Sequence, residues 1–128
     1  MRVLLDTHAF VWWVSEPERL SKRGLALFED DASELYWSTV GTWELALKLN
    51  KGKLKLPGTL HEYLEPRISR AGIRPLSVRS EHALALLDIP RHHSDPFDHM
   101  LIAQARVEGL TILSADRHFA KYEVETVW

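Results

Sequence analysis

Four acids carry the chemistry open to this sequence: Asp6, Glu44, Asp98 and Asp116. Each has a modest local explanation. Asp6 could close a strand, Glu44 could pair with Lys48 one helical turn on, and Asp98 and Asp116 could serve a helix start and a turn. Asp98 fits its explanation least well. Asp95 and Pro96 already start that helix, since Asp caps free backbone N–H groups and Pro suits the first helical position. Asp98 then has Leu101, Ile102 and Ala105 along the same face, so it stands on the apolar stripe. A carboxylate facing a core needs a metal, a base or a hydrogen-bond network. Four carboxylates drawn together would repel one another or hold protons unless divalent cations lay between them. An all-oxygen donor set selects Mg²⁺, or Mn²⁺, over zinc.

The chain supplies elements that could gather them. Arg2-Val3-Leu4-Leu5 is a short apolar run ending at Asp6, and it reads as a buried parallel strand. Thr7 is expected to cap a helix over His8 to Val14, which is apolar almost all round. Its Trp12 and Trp13 suit either the core or a partner's surface. A second helix follows Ser21, and Leu35 to Ser38 reads as an aromatic-rich strand. A third helix runs from Thr39 to Asn50, with Glu44 beside a stripe of Val40, Trp43 and Leu47. Gly41 on the same side would let a ligand or backbone approach. Thr59 and Glu62 open a fourth helix ending at Gly72, and Ile73 to Val78 is extended. Ser80 starts a further helix, Ile89 to Ser94 is a loop, and the Asp98 helix ends at Gly109. Thr111 to Leu113 and Val124 to Trp128 close the chain as strands, with Asp116 just past the first of them.

Strands alternating with helices predict an α/β fold, a three-layer α/β/α sandwich with a parallel sheet of four or five strands. Ligands of such sheets bind at the carboxyl ends of the strands. Asp6 and Asp116 follow strands there, and the first turn of the Asp98 helix points to the same edge.

At 128 residues the chain is expected to form one domain, spanning 1–128, with no linker or repeat. Hydrophobic residues at 45% exclude a disordered chain, and no apolar run is long enough to span a bilayer. There is no cysteine, which excludes disulfides, thiolate metal sites and cysteine nucleophiles. With no signal-peptide pattern, the expected location is cytoplasmic. A net charge of −2 is unlike that of a passive nucleic-acid binder, so a polyanionic partner would need bound cations or a local basic patch.

The histidines offer a weaker site. Adjacent His92 and His93 cannot easily share one zinc ion, and His99 is expected on the helix face opposite Asp98, beside Arg106. The acids alone leave three readings open: a metal-dependent nuclease, a metal-dependent phosphatase, or a non-catalytic binding module whose acids only cap helices.

Taken in order, Leu5-Asp6-Thr7, Ser38-Thr39-Val40-Gly41-Thr42-Trp43-Glu44, Asp95-Pro96-Phe97-Asp98 and Ser114-Ala115-Asp116 resemble the pattern of PIN-domain ribonucleases, specifically VapC-like toxins of type II toxin–antitoxin pairs. The resemblance covers essentially the whole chain; Gly41 departs from it, standing where related sequences often carry serine. It implies a metal-dependent endoribonuclease, a homodimer and inhibition by a cognate antitoxin. Its metal-site acids fall on Asp6, Glu44, Asp98 and Asp116. On this reading Thr7, Asp95 and Ser114 hold the acids in place, and single-stranded or looped RNA is the substrate. Lys48, Lys51, Lys53, Arg91 and His93 are then candidates for RNA backbone contacts.

Overall fold

The computed structural model describes residues 1–128. Five parallel strands, β1 (Arg2–Leu5), β2 (Glu34–Ser38), β3 (Arg74–Leu76), β4 (Thr111–Leu113) and β5 (Thr126–Val127), lie in the order β3-β2-β1-β4-β5. β1 is central because its apolar side chains are covered on both faces: Val3, Leu4 and Leu5 are all buried. From β1 the chain runs outward through β2 to β3 and then crosses to β4 on the other side. The strand order therefore reverses between β1 and β4, and a crevice opens beyond their carboxyl ends.

Strand alternation divides the core. Val3, Leu5, Leu35, Trp37 and Leu113 face α1 (Thr7–Ser15), α2 (Lys22–Glu29) and α4 (Leu60–Arg70), whose Phe10, Tyr63, Leu64 and Ile68 complete that layer. Leu4, Leu76 and Ile112 face the other way, onto Leu101, Ile102 and Ala105 of α6 (Pro96–Glu108) and onto Phe119 and Tyr122. The short α5 (Ser80–Ala85) packs on α6. α3 (Thr39–Asn50) contributes to both layers, through Leu45 to the first and Val40 to the second. The three-layer sandwich is thus present with five strands.

Local capping follows the sequence closely. Ser21 accepts from Gly24 N at 2.9 Å, and Thr59 from Glu62 N at 3.1 Å. Asp95 Oδ1 accepts from Phe97 N and Asp98 N at 2.9 and 3.2 Å, while Gly109 ends α6 in the left-handed region at φ 67°. Three expectations need correction. Asp6, not Thr7, takes the capping position of α1, so Thr7 is the first helical residue and its buried hydroxyl has no partner. The space at Gly41 is filled from within: a Cβ there would lie 2.6 Å from the Trp37 ring. Trp43 leaves the α3 stripe and is 53% exposed, because the buried face of that helix is Val40, Gly41, Glu44 and Leu45.

Candidate active site

Asp6, Glu44 and Asp98 are buried at the carboxyl edge of the sheet, and Asp116 is exposed beside them. Asp6 extends β1 by one residue, its amide donating to Leu113 O at 3.1 Å. Ser114, the residue after β4, donates its hydroxyl to Asp6 Oδ2 at 2.7 Å and accepts from Asp116 N at 3.0 Å. One serine thus fixes the Asp6 carboxylate and the backbone of Asp116. Asp116 Oδ1 in turn accepts from His118 N at 2.9 Å, starting the helical turn Arg117–Lys121.

Glu44 comes from the second turn of α3, whose start is capped by Ser38. The Ser38 hydroxyl also donates to Gln104 Oε1 at 2.5 Å, pinning α6 to the end of β2 through two buried polar groups. α6 brings Asp98, capped from Asp95 as above. The topology alone carries these acids from four places in the chain to one edge.

Their electrostatics follow from that gathering. Burial pushes the Asp98 carboxyl up to about 8, and the neighbouring charges of Asp95, Asp6, Asp116 and Glu44 add to the rise. Asp6 is raised as well, by burial first, against the opposing hydrogen bond from Ser114. Two basic side chains touch the acids: Lys48 Nζ lies 3.0 Å from Glu44 Oε2, and His93 Nε2 lies 2.9 Å from Asp98 Oδ2. No three acid or imidazole groups converge on one ion position. Two buried carboxyls raised in this way, Asp6 and Asp98, suit a divalent cation that takes the place of the protons.

Among the basic candidates, Lys51, Lys53 and Arg91 are exposed, and Lys48 is half-buried against Glu44. His93 is different from what its loop suggested. Its side chain is 10% exposed and bound at both ring nitrogens, so it belongs to the acid cluster rather than to the free surface. His99 also departs from expectation: it is buried, with Nε2 3.1 Å from the Tyr122 hydroxyl. Tyr122 was not evident as a site residue in the sequence. A cavity of about 250 Å³ adjoins the acids, lined by Asp6, His8, Ala9, Trp12, Ala115 and Asp116.

The model of the PIN domain matches residues 3–125. The chain belongs to the PIN-domain family. It is 27% identical over 130 residues to Ribonuclease VapC22 of Mycobacterium tuberculosis, covering 98% of each chain. Similar solved structures include FitAcB from Neisseria gonorrhoeae, at 25% identity and a TM-score of 0.64 over 98% of this chain and 96% of that one. VapBC2 from Rickettsia felis, bound to a promoter DNA fragment, superposes with a TM-score of 0.75 at 13% identity, covering 100% and 99% of the two chains. That last likeness concerns the fold.

Proposed function

We propose that this PIN-domain chain is the toxin of a type II toxin–antitoxin pair, an endoribonuclease that hydrolyses RNA phosphodiester bonds with Mg²⁺, or Mn²⁺, as cofactor. The observation that carries this reading is the set of four acids at one sheet edge, with Asp98 pushed up to about 8 by burial and by its acidic neighbours. The named ribonuclease relative and the toxin–antitoxin complexes among similar structures support the same reading.

Asp6, Glu44, Asp98 and Asp116 would hold the cation. Bound there, a divalent ion lowers the pKa of a water and offsets the charge of the phosphate. The protein's own part is preorganisation. Ser114 sets the Asp6 carboxylate, the Asp95 cap sets the start of α6, and the Ser38–Gln104 bond sets α6 against the sheet. Lys48, together with exposed Lys51, Lys53 and Arg91, supplies positive charge for the RNA backbone. Unpaired RNA suits an open edge of this kind, since its bases and 2′-hydroxyls can be reached without unwinding a duplex. We place the protein in the cytoplasm and treat residues 1–128 as one nuclease domain.

For the antitoxin, α1 and α2 present a surface of half-buried aromatics. Trp13 stacks on Phe28 with centroids 4.6 Å apart, and Trp12 packs edge-on against Trp128 with Arg19 over its ring at 4.2 Å. Both tryptophans therefore lean on the core while keeping part of their surface for a partner. Leu84 and Leu87, exposed at 65% and 85%, are apolar surface in keeping with a homodimer.

The decisive experiment is cleavage of an unstructured oligoribonucleotide by wild type, Asp6→Asn and Asp98→Asn, with and without Mg²⁺. Both variants should lose Mg²⁺-dependent cleavage. Retention in both would remove the site assignment, and equal turnover of a phosphomonoester would favour a phosphatase.

A further inference from the structure

The loop before α6 is tied to the acid site by a chain of bonds that the roles above leave unused. His93 Nε2 lies 2.9 Å from Asp98 Oδ2, and His93 Nδ1 lies 2.7 Å from the Tyr122 hydroxyl oxygen. That same oxygen accepts from His92 N at 3.1 Å and from His93 N at 3.2 Å. We propose that His93, held by Tyr122, is a positioning residue that orients the Asp98 carboxylate for the divalent cation, an inference that rests on the nuclease reading above.

Counting donors and acceptors fixes the direction of the chain. An ionised carboxylate only accepts, so with Asp98 ionised the hydrogen sits on His93 Nε2. Nδ1 of the neutral ring then accepts, and the Tyr122 hydroxyl is its donor. The hydroxyl oxygen also faces the two loop amides, which can only donate to it, and His99 Nε2 at 3.1 Å, which donates in the tautomer that leaves the hydroxyl hydrogen for His93. Asp98 Oδ2 is committed to His93, while Oδ1 takes no protein hydrogen bond and is free to ligate.

Packing leaves the imidazole little room to turn. His93 and Asp98 side chains are each 10% exposed, Tyr122 is buried, and His118 stacks parallel on His93 with centroids 4.6 Å apart and planes at 3°. Tyr122 sits in the core layer beneath α6, so the bond chain links the site to the rigid interior. Partners that orient a metal-binding group are typically worth ten- to a hundred-fold in metal affinity or activity, because they hold the ligand in its binding orientation beforehand.

The test is calorimetric titration of the full chain with Mn²⁺, alongside the Mn²⁺ dependence of RNA cleavage and a melting curve. His93→Ala should weaken Mn²⁺ binding roughly ten- to a hundred-fold, with cleavage largely recovered at saturating Mn²⁺. His93→Gln, which keeps an N–H donor at comparable reach, should restore most of the affinity. A folded His93→Ala protein that binds Mn²⁺ like wild type would overturn the proposal, and so would a Gln variant as weak as the Ala variant. If His93→Ala does not fold, Tyr122→Phe replaces it, with weakened binding expected and wild-type binding overturning the idea. Asp98→Asn separates the two levels. If it too binds Mn²⁺ normally, the acid site is misassigned; if it loses Mn²⁺ while His93→Ala does not, only the role of His93 falls.

Discussion

Helix α6 carries a histidine–carboxylate pair at each end, and the two behave oppositely. At its start His93 meets Asp98 at 2.9 Å; at its last residue His82 meets Glu108 at 3.0 Å. The helix dipole alone would favour the ionised acid at the start and disfavour it at the end. The reverse is found: Asp98 is raised to about 8, whereas Glu108 is lowered, chiefly by the His82 hydrogen bond and further by Arg79. The difference lies in the surroundings. Asp98 is buried among Asp95, Asp6, Asp116 and Glu44, while Glu108 is partly exposed and bridged by Arg79 at 2.6 Å. His82 is fully buried with both ring nitrogens satisfied, by Arg79 N and by Glu108. One end of α6 is a closed structural network, and the other gathers like charge that only an added cation or protons can balance.

The sharpest way to break this comparison is to neutralise each acid in turn. Asp98→Asn should lower Mg²⁺-dependent RNA cleavage by more than about 100-fold, exceeding what supporting groups alone are worth. Glu108→Gln should leave cleavage close to wild type; equal losses in the same oligoribonucleotide assay would erase the distinction. Next in size, Mg²⁺ at about a hundred times its dissociation constant should stabilise the wild type by about 2.7 kcal/mol in a thermal or denaturant melt. Asp98→Asn should lose most of that gain, and Glu108→Gln should keep it.

His82→Ala offers the converse. It leaves the Arg79 amide without its acceptor and should cost about 1–3 kcal/mol of stability in denaturant titration, with cleavage unchanged. The smallest effect is on the pH dependence of stability without metal. Asp98 keeps its proton in the fold after the unfolded chain has lost it, so its contribution to stability declines as pH climbs from the ordinary carboxyl value of 3.8 toward about 8. Glu108 acts the other way, adding stability above its ordinary range that is lost as pH falls through its lowered value. Melting temperature against pH should therefore flatten toward neutral pH in Asp98→Asn and toward acid pH in Glu108→Gln.

Much of this was legible from residue order. The Asp95-Pro96 start and Gly109 stop of α6 are local backbone chemistry, and they stand as read. So do Ser21 and Thr59 as caps, and the strand ending at Asp6. The misreadings occur where distant side chains compete for one place. Gly41 looked like room for a ligand, but the Trp37 ring fills that room from the neighbouring strand. Trp43 looked like core, yet Glu44 takes the inward position and Trp43 turns out against Phe97, with ring centroids 4.8 Å apart. His93 looked like a surface contact because nothing in a loop sequence shows a tyrosine 29 residues away.

By itself, the sequence determined the alternation of strands and helices, the caps that bound them, and the four acids at the carboxyl edge of a parallel sheet. Those features depend on short-range periodicity and on backbone groups within a few residues. The tertiary structure alone decided which histidine meets which acid, which helix end is neutralised and which is left charged. Those outcomes depend on burial and on charges brought together from remote parts of the chain, and neither has a counterpart in local spacing.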